Sequence, residues 1–318
     1  MRILPPSVLP SRLLSAVILA VALVLPAHAA ERESLKLLTI GNSFSNDALG
    51  YLSNIAKAGN KELLVGRASI GGCPLERHAR HLREAEAGDP KGKAYEGRTL
   101  PEILASQPWD IVTIQQWSQL SFKPETFQPH ADELIAAIRK LAPTAEIVVH
   151  QTWAYREDHP WFKKNDGFTP AKMYEGARDT YKNFADGKGF RVLPVGDAMN
   201  LARQTPRWTY VPDPAFDFKN PPAGQLPDQR TSLNVGWHWK KNKDGKVSFA
   251  LDAIHCNTAG RYLAGSVWYQ VLFNTDTVPT TFTPEGLAAE DAADLRTHAL
   301  AAVKAERSRE AALVPAAK

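Results

Sequence analysis

Short apolar runs rich in β-branched residues alternate with stretches of helical periodicity along most of the chain. Such alternation is typical of a parallel sheet with helices packed on both of its faces. The apolar runs predict five strands, at residues 35–40, 63–70, 110–114, 146–152 and 190–195. We therefore expect an α/β fold built on a central parallel five-stranded sheet.

The segments between and after these strands have the spacing of amphipathic helices. Thr99 stands where the cap of one of them is expected, because a threonine hydroxyl accepts a hydrogen bond from the first turn of a helix. The predicted helices cover residues 46–58, 100–106, 129–141, 171–184, 197–203, 258–272 and 284–306.

The region from 204 to 251 interrupts the alternation and is rich in proline, which disfavours regular structure. Near its end, residues 235–239 and 246–251 flank the turn residues Asp244 and Gly245 and predict a hairpin. We interpret this region as a loop and hairpin insertion over one end of the sheet, within a single domain that covers residues 31–318.

The first thirty residues have a composition unlike that of the rest. Arg2 and Arg12 precede an apolar stretch at 13–25, and Ala27-His28-Ala29 follows it. This order is typical of a secretory signal peptide, and the apolar stretch is short for a bilayer span. The alternative is an uncleaved membrane anchor. We expect a secreted or periplasmic protein with no stable membrane insertion after removal of the signal.

Charge and cysteine content narrow the function classes. The formal net charge is +4 for the whole chain and +2 without the two arginines of residues 1–30. No basic stripe with interleaved aromatic residues is present, so nucleic acid is not an expected partner. Cys73 and Cys256 are the only cysteines. A disulfide between them is possible in an oxidising compartment, and the sequence leaves it open.

The first predicted strand leads directly into Gly41-Asn42-Ser43-Phe44-Ser45. A serine at such a strand-to-helix turn lies at the carboxyl end of the sheet, where open α/β folds place their sites. A structural reading is that Ser43 caps the helix. Ser45 and Asn46 can cap it as well, so Ser43 is free to act as a nucleophile.

A second candidate segment, Asp252-Ala-Ile-His255, directly precedes a predicted helix. In a turn before that helix, both side chains can face one site. His255 would then accept the Ser43 proton while Asp252 orients the imidazole and stabilises its charged form. The alternative is helix capping by Asn257 or Thr258. Together with Ser43, the pair indicates a Ser-His-Asp catalytic triad.

Two further segments follow predicted strands at the same end of the sheet. Gly71 and Gly72 allow close approach of the backbone to a substrate and can offer an N–H to an oxyanion. Gln115 and Gln116 end an otherwise apolar strand and are costly to bury unless paired. A glutamine amide could supply a further oxyanion donor, and a purely structural hydrogen bond is the alternative.

The order of these blocks resembles that of the SGNH (GDSL-type) hydrolase superfamily. The Gly-Asn-Ser block at Ser43 is similar to the family's Gly-Asp-Ser, and Asp252-Ala-Ile-His255 is similar to its last block. The segment 71–76 resembles the Gly-Gly segment of carbohydrate and sialate O-acetylesterases. Gln-Gln-x-Ser at 115–118 departs from the usual Gly-x-Asn-Asp and resembles a bacterial branch of unsettled function.

The resemblance implies a flavodoxin-like three-layer α/β/α sandwich with no cofactor and no metal. It also implies a serine esterase with Ser43, Asp252 and His255 as the triad. The oxyanion hole would be made by the Ser43 N–H, Gly71 or Gly72, and a glutamine side chain, for which Gln116 is our choice.

Aromatic residues are frequent in the loops expected around this site, and flat rings suit the apolar faces of sugars. About half of them are expected to fill the core instead. An acetylated carbohydrate or another small ester is therefore the predicted substrate. The predicted substrate-binding residues are Asn42, Gln115, Trp117, Gln119, Trp153 and Tyr155.

Two other functions fit the same sequence. A lipase- or thioesterase-like hydrolase would share the triad and have an apolar groove, and a catalytically silent glycan-binding module would use the fold alone. A metalloenzyme is disfavoured because the histidines have few carboxylates near them. We expect His78 and His81, three residues apart, to lie on a solvated helix face.

Overall fold

A parallel sheet of five strands forms the centre of the computed structural model, which describes residues 30–313. Its order is β2-β1-β3-β4-β5, which is the order of doubly wound flavodoxin-like folds. The strands are β1 (Ser34–Gly41), β2 (Glu62–Ser69), β3 (Ile111–Ile114), β4 (Glu146–His150) and β5 (Arg191–Leu193). The predicted α/β class and the predicted five-stranded parallel sheet are confirmed.

Ten α-helices occur in the described part of the chain. They are α1 (Ser43–Ala48), α2 (Leu52–Ala58), α3 (Leu75–Glu86), α4 (Leu100–Leu104), α5 (His130–Leu141), α6 (Pro160–Lys164), α7 (Pro170–Lys188), α8 (Val195–Arg203), α9 (Thr258–Leu272) and α10 (Ala289–Leu313). Thr99 caps α4 as expected, and Glu102 returns a hydrogen bond to the Thr99 backbone.

Helices cover both faces of the sheet because alternate residues of a strand point to opposite sides. On β1, Leu37 packs with α1, α2, α8 and α9, whereas Leu38 packs with α3, α4 and α5. Both leucines are fully buried. The result is the predicted three-layer α/β/α sandwich, in which the carboxyl ends of the strands lie at one edge.

Several predicted boundaries are wrong. The predicted helix at 46–58 is two helices, and the first begins at Ser43 because the Asn42 side chain caps it by accepting from the Phe44 N–H. The break includes Gly50, where a Cβ would stand 3.1 Å from Arg261 Cδ. The last helix begins at Ala289 rather than at 284.

The predicted hairpin is present as a separate two-stranded sheet of β6 (Asn234–Lys241) and β7 (Val247–Cys256). Strand β7 is longer than expected and runs to within two residues of α9. Asp252 and His255 therefore lie in the last five residues of β7, where its pairing with β6 is irregular. The sequence had placed them in a turn between the hairpin and the helix.

Residues 31–313 belong to one compact unit. The predicted signal peptide at 1–30 lies, except for Ala30, outside the described residues. None of the helices found in residues 30–313 has the length and apolarity needed to cross a membrane.

Candidate active site

Ser43 lies at the first position of α1, directly after β1. The tight turn between them requires glycine at position 41, since a Cβ there would stand 2.5 Å from Ser45 Oγ. His78 of α3 also contacts this turn, because its Nε2 lies 3.1 Å from the Gly41 carbonyl oxygen. Ser43 itself is half-buried, so its hydroxyl remains open to the edge of the sheet.

The three predicted triad side chains form one chain of hydrogen bonds. His255 Nε2 lies 2.9 Å from Ser43 Oγ, although 212 residues separate them. On the other side of the imidazole ring, Nδ1 lies 2.8 Å from Asp252 Oδ2. The second carboxylate oxygen, Asp252 Oδ1, accepts from the backbone N–H groups of Ile254 and His255. This turn holds the carboxylate against the ring three residues later.

The electrostatics of the pair match these contacts. The hydrogen bond that His255 donates to Asp252 raises the pKa of His255 above its usual value, and burial, the smaller effect, lowers it. Burial raises the pKa of Asp252, but the hydrogen bonds from the His255 side chain and backbone outweigh it and leave that pKa well below its usual value. Asp252 is therefore ionised at neutral pH and favours an imidazolium beside Ser43.

Asn42 and Gln115 are buried and hold the loops of the site together. Asn42 Oδ1 accepts from the Phe44 N–H and from Gln115 Nε2, and Asn42 Nδ2 donates to the Cys73 carbonyl. Gln115 Oε1 accepts from the Ser45 hydroxyl. The geometry does not support the predicted role of these two residues in substrate binding, because both are buried and their amides are satisfied within the protein.

Gln116 is also structural, and its predicted place in the oxyanion hole is not supported by the geometry. Its Oε1 accepts from the backbone N–H groups of Leu75 and Trp117, and its Nε2 donates to the carbonyl and the hydroxyl of Thr126. The Leu75 N–H is the first of α3. Both ends of this buried amide are used to join α3 to the chain after β3.

Gly71 and Gly72 follow β2 and are exposed at the same edge of the sheet. Gly72 has a φ of +58°, a conformation that favours glycine. In residues 30–313, the N–H groups of Ser43, Gly71 and Gly72 donate to no backbone carbonyl. The half-buried Trp117 is beside them, since its Nε1 would lie 3.7 Å from a Cβ on Gly72.

Trp153 and Tyr155 are almost fully buried, so the geometry does not support their predicted role in substrate binding. The Trp153 ring stacks on Phe44 at 4.0 Å, and its Nε1 donates to the Ile254 carbonyl. Tyr155 shares a hydrogen bond with Ser118. Gln119, the last of the predicted substrate-binding residues, is half-buried.

Asp47 is a member of the site that the sequence did not single out. It lies four residues after Ser43, one turn along the same face of α1, and is only 4% exposed. Its Oδ2 accepts from the Cys256 N–H at 2.8 Å, and its Oδ1 accepts from Arg261 Nε at 3.0 Å. The i, i+4 spacing from Ser43 is the sequence signal that could have identified it.

Both cysteines are buried free thiols, and no disulfide joins Cys73 to Cys256. The expectation that His78 and His81 lie on a solvated face of α3 is wrong. His78 is fully buried between the Tyr95 hydroxyl and the Gly41 carbonyl, and His81 is 9% exposed. No group of three or more potential metal ligands occurs among residues 30–313.

Partly exposed aromatic side chains lie beside the Asp252 end of the triad. His159 packs on Tyr155 at 4.7 Å between ring centres and caps α6, whose Trp161 and Phe162 follow it. Burial lowers the pKa of His159, while the Asp252 charge acts to raise it. Arg156 links the cluster to the triad segment, because its N–H donates to the Ala253 carbonyl at 2.9 Å and its own carbonyl accepts from the His159 N–H at 3.0 Å.

The molecule is therefore a three-layer α/β/α protein of flavodoxin-like topology. It carries a candidate Ser-His-Asp site at the carboxyl edge of its sheet. A family model described as a domain of unknown function (DUF4886) matches residues 36–210, which is more than half of the chain. The chain belongs to this family. The matched segment includes Ser43 but ends before Asp252 and His255.

A solved structure of a protein from the same family has a similar fold. A DUF4886 family protein from Bacteroides uniformis is 26% identical, with a TM-score of 0.62 over 85% of this chain and 95% of that one. A protein from Slackia heliotrinireducens, described as a candidate SGNH hydrolase, is 20% identical, with a TM-score of 0.47 over 74% of this chain and 98% of its own. No curated protein sequence matches the chain.

Proposed function

We propose that this protein is a serine ester hydrolase that removes small acyl groups, above all acetyl groups, from carbohydrate. The observation that carries the proposal is the chain of hydrogen bonds from Asp252 through His255 to Ser43. Nucleophile, base and orienting carboxylate stand within hydrogen-bond reach of one another, which is the arrangement that activates a serine hydroxyl.

The reaction follows from these positions. His255 Nε2 accepts the Ser43 proton as Oγ attacks the ester carbonyl, and Asp252 stabilises the imidazolium that forms. His255 then donates the proton to the departing alcohol, leaving an acyl group on Ser43. A water molecule enters, loses its proton to His255 and attacks the acyl-enzyme, which releases the acid and restores the serine.

Backbone groups supply the donors for the oxyanion in this proposal. The N–H groups of Ser43 and of Gly71 or Gly72 border the site and have no backbone partner within the part of the chain that the structure describes. Loss of one such donor typically costs about 10²- to 10³-fold in kcat. Since Gln116 is engaged elsewhere, the hole depends on these backbone donors, and a glycine with positive φ is needed to present one of them.

Two features support a small acyl group and a sugar. Trp117 stands beside Gly72 and limits the space next to the oxyanion donors. The partly exposed rings of His159, Trp161 and Phe162 lie near Asp252, and such rings pack well on the apolar faces of sugars. The acyl group would face Trp117, and the sugar would face the aromatic cluster.

Export is a separate part of the proposal and is supported by the sequence of residues 1–30. Expression of the full chain in a bacterium, followed by fractionation, tests it. The expected result is protein in the periplasm or medium whose N-terminus begins close to Glu31. Full-length protein that stays in the membrane fraction would favour the anchor instead.

The esterase proposal is tested with p-nitrophenyl esters of increasing chain length and with acetate release from acetylated polysaccharides and sialosides. We expect hydrolysis of the acetyl ester, a steep fall with longer chains, and acetate release from at least one acetylated glycan. Ser43→Ala should reduce these rates by at least about 10³-fold.

A fluorophosphonate probe gives an independent readout of the nucleophile. The wild-type protein should be labelled at Ser43, and Ser43→Ala should not. If the folded wild-type protein neither reacts with the probe nor releases acetate, the proposal of an esterase fails and the glycan-binding alternative gains support. Preference for long acyl chains would instead favour a lipase-like hydrolase.

A further inference from the structure

We propose that Asp47 is a positioning residue that fixes His255 relative to Ser43 and that its negative charge tunes the proton affinity of the imidazole. This inference rests on the proposed esterase function and adds a fourth residue to the site. It follows from the place of the Asp47 carboxylate between three elements: α1, the end of β7 and the beginning of α9.

The contacts of Asp47 join the two chain segments that carry the nucleophile and the base. Asp47 stands one helical turn after Ser43 on α1. Its Oδ2 accepts from the N–H of Cys256, the residue that follows His255. A change at this contact would therefore alter the separation of Ser43 Oγ and His255 Nε2, which is 2.9 Å. Errors of about 1 Å in such alignments can cost about 10²-fold in rate.

The second oxygen of Asp47 is held by Arg261 of α9. Arg261 Nε donates to Asp47 Oδ1, and the stem of the arginine lies across Gly50 at the end of α1. Both carboxylate oxygens thus accept from N–H donors, as an ionised carboxylate does. The arginine side chain remains 45% exposed, whereas the Asp47 side chain is 6% exposed.

The charges that face His255 come from three elements. Asp252 on β7 and Asp47 on α1 both raise the pKa of His255, while Arg261 on α9 lowers it. Burial, the largest effect, leaves the pKa of Asp47 above its usual value, and the contacts with Cys256, Arg261 and His255 act in the opposite direction and limit the rise. Asp47 and Arg261 form one ion pair, but they shift the pKa of His255 in opposite directions.

This opposition gives a matched pair of variants. In Asp47→Asn the near-isosteric amide can still accept from the Cys256 N–H but has no charge, so the pKa of His255 falls. In Arg261→Met the aliphatic stem over Gly50 is kept while the cation is lost, so the pKa of His255 rises. A merely structural role would not shift the two variants in opposite directions.

The experiment is the pH dependence of kcat/KM for p-nitrophenyl acetate with the full-length protein and both variants. We expect the acid limb to move to lower pH in Asp47→Asn and to higher pH in Arg261→Met. We also expect kcat of Asp47→Asn to fall about 10-fold or more with little change in KM, because the amide NH2 cannot accept from Arg261 Nε and the side chain then holds His255 less firmly. Asp47→Glu should keep the acid limb of the wild type, since the charge remains.

Buried carboxylates also contribute to stability, so Asp197→Asn is the control. Asp197 of α8 is similarly buried and hydrogen-bonded to Gln151 and Lys182. Its variant should lose thermal stability and leave the acid limb in place. The inference is overturned if the acid limb of Asp47→Asn coincides with that of the wild type, or if Asp197→Asn moves it equally.

NMR titration of the His255 imidazole separates this inference from the proposed function. The opposite shifts in Asp47→Asn and Arg261→Met should appear in the imidazole resonances whether or not ester is turned over. An inactive wild-type protein with these shifts would overturn the esterase proposal alone. Unchanged His255 titration in both variants would overturn the role of Asp47.

Discussion

Trp153 donates its indole N–H to the carbonyl of Ile254 at a distance of 3.0 Å. Because the same ring stacks on Phe44, it contacts the neighbour of Ser43 and the neighbour of His255 at once. A residue that the sequence suggested as a substrate contact is thus a buried support that packs against the sequence neighbours of both reacting side chains.

Trp153→Phe should keep the ring stacking and remove the hydrogen bond to Ile254. The carbonyl retains a second donor, Asn234 Nδ2 at 3.0 Å, so we expect a modest loss of about 1 kcal/mol in the free energy of unfolding. The kcat should fall several-fold with KM unchanged. Chemical denaturation and steady-state kinetics measure the two effects, and a large rise in KM would return Trp153 to the substrate-binding residues.

The pH profile should show a base with a raised pKa. His255 must be neutral to accept a proton, and Asp252 raises its pKa above the usual value of about 6.5. We therefore expect kcat/KM to increase with pH, with a midpoint above 6.5. Asp252→Asn should move this midpoint down and lower kcat by about 10⁴-fold, because the imidazole loses its orienting partner. A wild-type midpoint well below 6.5 would contradict the assignment of His255 as the base.

Gln116→Met tests whether this residue is structural or an oxyanion donor. The buried backbone N–H groups of Leu75 and Trp117 lose their acceptor in this variant, so the free energy of unfolding should fall by about 2 kcal/mol or more. The kcat of the folded protein should stay within tenfold of the wild-type value. A loss of about 10²-fold or more would indicate a donor to the oxyanion after all.

Two buried histidines predict a loss of stability in acid. Burial lowers the pKa of His78 to about 4 and that of His150 to about 3. Below pH 6.5 the unfolded chain therefore binds protons that the folded protein does not, and stability falls as the pH drops toward these values. Each histidine contributes a slope of about 1.4 kcal/mol per pH unit within its window.

His78→Gln should flatten this slope between pH 6.5 and 4, since glutamine does not titrate, although the variant is less stable at pH 7. The measurement is the free energy of unfolding by denaturant at a series of pH values. A slope equal to that of the wild type would show that His78 takes up its proton without unfolding.

The sheet could be predicted because its strands are short apolar runs in regular alternation with helices. Helix boundaries near Ser43 could not, because they depend on tertiary contacts. The Asn42 cap is fixed by Gln115 and Cys73, and the break at Gly50 accommodates Arg261 from a helix more than two hundred residues away.

Residue types at the strand ends indicated where the candidate site lies but not which polar side chains face it. The side-chain amides that could bind a substrate are those of Asn42, Gln115 and Gln116, because each has both a donor and an acceptor. The structure uses those groups to join loops, because each is buried with a complementary partner beside it. Only the folded structure shows whether a side-chain amide is already hydrogen-bonded within the protein or is open to a substrate.

The buried thiols of Cys73 and Cys256 offer built-in reporters of motion at this edge of the sheet. One adjoins the glycine loop and the other adjoins His255, and burial raises the pKa of Cys73 to about 12 and that of Cys256 well above its usual value. Thiolate is the species that alkylating reagents attack. Iodoacetamide labelling of either sulfur in the native state would therefore measure how often its loop opens, with no cysteine introduced into the protein.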